Sequence, residues 1–170
     1  FGPFWFHREM QRCGPGDYLI AAPTYPLLSA KLIPEVKRLF IDTLKLGEYR
    51  EQPNQKIFIT DEGCRKLWGY VPVNMTRPTI HIGHATNPDS LESMTVLAAW
   101  LDEAGQRQFK VGSWEAILRR LSLSQGRILI TTTPYFISSW LKRRVFDKMG
   151  DPRESVRVVS FRSIDNPVFP

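Results

Sequence analysis

Hydrophobic residues in this chain fall in short bursts of two different periods, and the alternation of those periods predicts its architecture. Phe4 to Arg12 reads as the second half of a helix, closed by the breaker cluster Gly14-Pro15-Gly16. Asp17 to Ala22 reads as a short buried strand, with Pro23-Thr24-Tyr25-Pro26 as the loop at its carboxyl end. From Leu27 to Leu46 the apolar residues Leu28, Leu32, Ile33, Val36, Leu39, Phe40 and Leu44 recur three and four apart. That spacing predicts an amphipathic helix, which Pro34 should kink or split and Gly47 should end. Glu48 to Gln55 is polar and loop-like, Lys56 to Thr60 a strand, Asp61-Glu62-Gly63 a turn. Cys64 to Val73 fits no single period.

Thr79 to Gly83 alternates like a strand, and Asn87 to Leu91 starts a turn or short helix. Trp114 to Leu121 is a predicted helix with Ser113 as N-cap. Arg127 to Thr131 is a buried strand running into Thr131-Thr132-Thr133-Pro134. A helix over Ser138 to Met149 and a last strand over Val156 to Phe161 complete the pattern. Strands alternating with helices give an α/β fold: a mostly parallel central sheet with helices on both faces.

One stretch organises the rest. Val96 to Gln106 is an apolar run that ends in two acids, Asp102 and Glu103. A buried parallel strand delivers charge to its carboxyl end in this way, and ligands of open α/β sheets bind at that end. The pair suits nucleotide hydrolysis. Asp102 can hold Mg²⁺ through its waters, and Glu103 can orient and deprotonate an attacking water. A strand ending in an acid at a solvated edge is the plainer alternative.

Composition narrows the field only a little. The hydrophobic fraction of 42% is that of an ordinary globular protein, and no apolar run approaches the ~18 residues needed to span a bilayer. A net charge of +6 makes polyanions plausible partners without requiring them. Cys13 and Cys64 have neither metal-ligand spacing nor a disulfide framework, and read as small buried thiols. The start, FGPFWFHREMQR, has no signal-peptide form and no initiator Met. The expectation is a piece of something longer.

Four segments in order carry a family resemblance: Ala22-Pro23-Thr24-Tyr25-Pro26, Asn87-Pro88-Asp89-Ser90-Leu91, Ala98 to Gln106 (AAWLDEAGQ), and Arg127 to Tyr135 (RILITTTPY). With the closing Asp165-Asn166-Pro167, the chain resembles the ATPase domain of the phage large terminase subunit, the motor that packs DNA into capsids. The resemblance implies an additional-strand P-loop NTPase (RecA-like) fold. It makes Asp102 and Glu103 the Walker B pair, Asp102 for Mg²⁺ and Glu103 as the base. Thr131, Thr132 and Thr133 become the coupling motif that senses the γ-phosphate of ATP. A short hydroxyl can exchange hydrogen-bond partners between phosphate, water and backbone. Three threonines also simply suit a strand end.

The resemblance further implies double-stranded DNA, a portal protein and a small terminase subunit as partners. It implies a homo-oligomeric ring, no membrane, and action in the cytoplasm of an infected bacterial host. Two departures stand out. No G-x-x-x-x-G-K-[ST] occurs in the 170 residues, and Gly14-Pro15-Gly16-Asp17 cannot replace it, since its proline lacks an amide and its aspartate repels phosphate. The expectation is therefore a single domain, residues 1–170, truncated at the N-terminus and lacking both the Walker A segment and the nuclease domain. Alone it would hydrolyse ATP poorly. Where relatives often carry Leu-Arg-Gly, this chain has Leu91-Glu92-Ser93, so an arginine finger must come from elsewhere.

Other residues invite chemistry less strongly. His81 and His84 would point to opposite faces of a strand, which argues against a metal pair, and His7 is remote. Arg119, Arg120, Lys142, Arg143 and Arg144 could neutralise DNA phosphates or simply form solvated helix faces. Phe1, Phe4, Trp5 and Phe6 read as core, or as exposed if a preceding strand is absent, and Trp114 and Trp140 read as core rather than as base-stacking platforms. The rival readings are a non-catalytic DNA-binding or assembly module with a degenerate NTPase fold, and, more remotely, a helicase-type motor.

Overall fold

The computed structural model describes residues 1–73, 75–86, 95–133 and 140–161. They fall in two units, Phe1–Tyr135 and Phe136–Pro170. The expected turn at 87–91, Glu92, the start of the 138–149 helix and the 165–167 tail lie outside the described residues.

The first unit is built on a six-stranded sheet. In chain order its strands are β1 (Asp17–Ala22), β2 (Gly47–Arg50), β3 (Lys56–Ile59), β4 (Thr79–His84), β5 (Ala98–Asp102) and β6 (Arg127–Thr131). They lie in the order β2-β3-β4-β1-β5-β6. The four strands from β4 to β6 are parallel, while β3 pairs antiparallel with both β2 and β4. The mostly parallel α/β sheet is thus observed, with an antiparallel hairpin along one edge.

Both faces of the sheet are covered, as its sequence demands. Side chains alternate across a strand. Tyr18, Ile20, Ile57, Ile59, Ile80, Ile82, Ala98 and Trp100 join Phe6, Met10, Leu28, Val36 and Phe40 in one core. That core is filled from helix α1 (Gly2–Cys13) and from the helical stretch after β1. The alternate residues Leu19, Ala21, Ala99 and Leu101 are also buried, at 2% exposure or less. Helix α5 (Val111–Ser122) brings buried Trp114, Ala116, Ile117 and Leu121, and is tied in where Val96 N–H donates to the Arg120 carbonyl at 3.2 Å.

The helical stretch after β1 departs from the simple helix expected. It runs as α2 (Tyr25–Leu27), a π segment Leu28–Leu32, α3 (Ile33–Lys37) and a second π segment Arg38–Thr43. Pro34 falls within the first two positions of α3. A proline there removes a donor and crowds the carbonyl one turn back, and widening the preceding turn accommodates both without splitting the helix. Gly47 does not end it. The chain turns at Lys45, whose φ of 51° is left-handed, and Gly47 already belongs to β2.

Three further expectations are corrected. Residues 47–50 form an edge strand rather than a loop, held by register with β3 (Tyr49↔Ile57) that local polarity does not reveal. Asp61-Glu62-Gly63 is the first turn of α4 (Asp61–Trp68), where Thr60 Oγ1 accepts from Gly63 N–H at 3.1 Å and both acids face the positive helix end. Gly63 is required there: a Cβ would sit 1.8 Å from the Leu46 carbonyl oxygen. Ser113 is not the cap of α5, which starts after Lys110. Its hydroxyl is instead fully buried and donates to the Ala85 carbonyl at 2.7 Å.

In the second unit, α6 (Trp140–Arg144) is followed by a 3₁₀ turn, Phe146–Lys148, in place of one long helix. Residues 156–161 form no strand among the described residues. A strand exists through its ladder partner, and a β-branched run states a preference for strand without specifying that partner. Among the described residues no helix is long and apolar enough to cross a membrane.

Candidate active site at the carboxyl end of the parallel strands

Parallel pairing brings the ends of β4, β1, β5 and β6 to one edge of the sheet. Ala22↔His84 and Asp102↔Thr131 are the last pairs of their ladders. The register therefore sets Asp102 directly opposite Thr131, and the Thr131 hydroxyl donates to Asp102 Oδ1 at 2.6 Å. Period-two alternation puts Trp100 on the same face as Asp102. Its indole N–H donates to Thr131 Oγ1 at 2.8 Å, while the ring itself is 2% exposed.

Glu103 leaves the strand abruptly. Its φ of 52° is left-handed, a conformation that costs an L-residue roughly 1–2 kcal/mol. The surroundings hold it there: Glu103 N–H donates to the Thr131 carbonyl at 2.6 Å, and the Glu103 carbonyl accepts from Gln106 N–H at 3.0 Å. Its carboxylate Oε2 is buried and has no hydrogen-bond partner among the described residues. A buried oxygen left in that state is open to contact with a bound group.

The three threonines do different things. Thr131 is engaged by Trp100 and Asp102. Thr132 Oγ1 accepts from the Gly105 amide at 2.9 Å and donates to the Thr133 carbonyl at 3.1 Å, so it ties the strand end to the turn after the acids. Thr133 is exposed. The structure thus brings together Asp102, Glu103, Thr131 and Thr132. The participation of Trp100 was missed in the sequence, where its position two residues before Asp102 was the available signal.

The basic residues do not form one helix face. Arg119 and Arg120 lie in the last turn of α5, and Arg120 Nε is buried without a hydrogen-bond partner among the described residues. Lys142, Arg143 and Arg144 belong to α6 in the second unit, and Lys142 Nζ is bonded to Asp147 Oδ1 at 2.5 Å. The histidines stay apart in role. His81 Nε2 lies 3.6 Å from Asp17 Oδ1, whereas His84 Nδ1 meets Thr86 Oγ1 at 2.7 Å and its ring stands edge-on to Tyr25. Burial pushes the His84 imidazole below its ordinary pKa. No group of three or more metal-ligating side chains occurs among the described residues.

A second constellation lies at the opposite end of β6. Glu9 of α1 is 3% exposed and receives hydrogen bonds from Arg12 and Arg127, at 2.8 Å from Arg12 Nη2 and 3.0 Å from Arg127 Nε. Burial pushes its carboxyl up, but the combined hydrogen bonds and charges of Arg127 and Arg12 outweigh this and hold it below the usual range. These ion bridges tie α1 to the start of β6, at the end of the strand away from the acids.

No family model matches the sequence, and no curated protein matches it. Solved structures do. A mutant of the large terminase ATPase domain of Thermus phage P74-26 aligns at a TM-score of 0.51 and 27% identity, over 81% of this chain and 55% of that one. The large terminase of a thermophilic bacteriophage aligns at a TM-score of 0.55 and 15% identity, over 79% of this chain and 30% of that one. The same terminase in complex with ADP aligns at 0.53 and 16% identity. The chain spans about half the length of the Thermus phage domain and under a third of the other terminase. It has a terminase ATPase-domain-like α/β fold.

Proposed function

We propose that this chain is part of the ATP-hydrolysing engine of a viral DNA-packaging motor. One juxtaposition supports the reading most. Asp102 is hydrogen-bonded to Thr131 across β5 and β6, beside a Glu103 held left-handed with a buried carboxylate oxygen unpaired.

The donor set fits a hard cation. Asp102 offers carboxylate oxygen at the carboxyl end of a parallel sheet, and Mg²⁺ prefers such oxygen with most of its waters retained. When bound with ATP, the ion supplies neutralisation of phosphate charge. The chain's own residues do the rest. Glu103 Oε2 accepts a proton from the attacking water, and the 103–106 turn orients that carboxylate. Thr131 and Thr132 bond to Asp102 and to the Gly105 amide, so loss of a phosphate contact at the strand end would be felt by both acid and turn.

No G-x-x-x-x-G-K-[ST] occurs within these 170 residues, so the reading requires a phosphate cradle that they do not supply. Double-stranded DNA as the cargo, portal and small terminase subunits as partners, a homo-oligomeric ring and the host cytoplasm rest on the family resemblance alone.

The test is ATP turnover by the full-length gene product. Glu103→Gln is expected to retain nucleotide binding and lose turnover by at least about 100-fold, the usual contribution of a general base. Turnover within a few-fold of the parent would remove Glu103 from the mechanism. Absence of nucleotide binding in the unsubstituted full-length protein would favour the non-catalytic DNA-binding or assembly module instead.

A further inference from the structure

Trp100 would read as ordinary core were it not for its nitrogen. The ring is 2% exposed and belongs to the main apolar cluster, yet its indole N–H reaches the adjacent strand and donates to Thr131 Oγ1. An indole can only donate, and a threonine hydroxyl has one proton and two lone pairs. Once Trp100 has occupied a lone pair of Thr131, the Thr131 proton is directed at Asp102 Oδ1, 2.6 Å away. The three groups form a one-way chain from indole to hydroxyl to carboxylate, with no freedom to reverse. Such a chain fixes the rotamer of the hydroxyl and anchors one oxygen of the carboxylate, Oδ1.

The far side of the indole is equally constrained. Gly2, at the start of α1, lies so close that a Cβ there would be 2.1 Å from the six-membered ring. The helix start therefore clamps the ring whose nitrogen sets the hydroxyl. We propose that Trp100 is a positioning residue for the cation site: acting through Thr131, it presets the Asp102 carboxylate in the orientation that receives a divalent cation. This rests on the reading of Asp102 as the cation-holding acid.

The experiment replaces Trp100 with 3-benzothienylalanine, which keeps the ring shape but exchanges the N–H for sulfur, and uses Thr131→Val as a second break in the chain. Two readouts are taken on the full-length gene product and its variants. One is hydrogen exchange of the Trp100 indole proton, assigned by ¹⁵N-labelling. The other is affinity for Mn²⁺, a spectroscopic substitute for Mg²⁺, followed by water-proton relaxation. The indole proton should be slow to exchange in the parent and fast in Thr131→Val. Mn²⁺ affinity should fall roughly 3- to 10-fold in the benzothienyl variant, the size expected of one lost hydrogen bond, and fall similarly in Thr131→Val. Asp102→Asn should abolish the specific site. A fast-exchanging indole in the parent would overturn the relay whatever the metal does. A protected indole with Mn²⁺ affinity unchanged by Asp102→Asn would instead overturn the cation site, and the positioning role with it. Affinity lost in Asp102→Asn but unchanged in the benzothienyl variant would leave the cation site standing and refute Trp100 alone.

Discussion

Glu103 is where stability and the proposed activity pull in opposite directions, and the conflict can be measured. A non-glycine residue at φ 52° carries about 1–2 kcal/mol of backbone strain. Its buried, unpartnered Oε2 adds a desolvation cost on the order of 1–3 kcal/mol. Two variants separate the terms. Glu103→Ala removes the carboxylate but keeps a Cβ in the left-handed region, whereas Glu103→Gly removes both. In ordinary helix or strand interiors glycine is worse than alanine by about 0.5–1 kcal/mol, because it loses more freedom on folding. At a left-handed position the order reverses, and Glu103→Gly should exceed Glu103→Ala by about 1 kcal/mol. Both should be at least as stable as the parent in urea denaturation, with Glu103→Gly melting a few degrees higher. The parent would then be holding strain at the residue proposed as the base. Glu103→Gly less stable than Glu103→Ala would mean that residue 103 is not held left-handed, and the strain assigned to this turn would be lost.

Three other outcomes follow from the packing. Ser113→Ala should destabilise by about 1–3 kcal/mol, because the buried Ala85 carbonyl loses its donor; equilibrium unfolding checks this, and a change under about 0.5 kcal/mol would contradict the bond. Gly63→Ala should be among the most damaging single-methyl additions, since backbone at 1.8 Å cannot step aside; a normal melting temperature would show that Leu46 and α4 are not so placed. Glu9 has a native pKa held below its unfolded value, so its stabilisation is fully present above the ordinary carboxylate range. It is lost as pH falls through the depressed native value. Glu9→Gln should therefore flatten part of the acid limb of stability against pH, and an unchanged limb would deny the ion bridges to Arg12 and Arg127.

Much of this protein could be read from sequence by itself. The strand at 17–22 and the acid-ended run to Asp102 were visible because burial on both faces leaves apolar stretches between breakers, and the strand at 79–83 was visible by its alternation. The strand at 127–131 was legible too, but as the edge strand β6 it is only partly buried rather than buried as expected. Parallel order followed from strands alternating with helices, and it places Asp102 and Thr131 at the same edge. What the sequence could not contain is the choice of partner. Residues 47–50 look polar, yet they become a strand because β3 offers an edge; residues 156–161 are rich in valine, yet they find no ladder among the described residues. Ser113 has the form of a helix cap, but a carbonyl 28 residues away claims its hydroxyl. The strained φ of Glu103 and the bond from Trp100 to Thr131, 31 residues apart, likewise arise only when two strands are in register. Local sequence sets the preference of each segment for helix, strand or turn. Directional bonds between distant segments are settled by tertiary packing, and those bonds shape the candidate site.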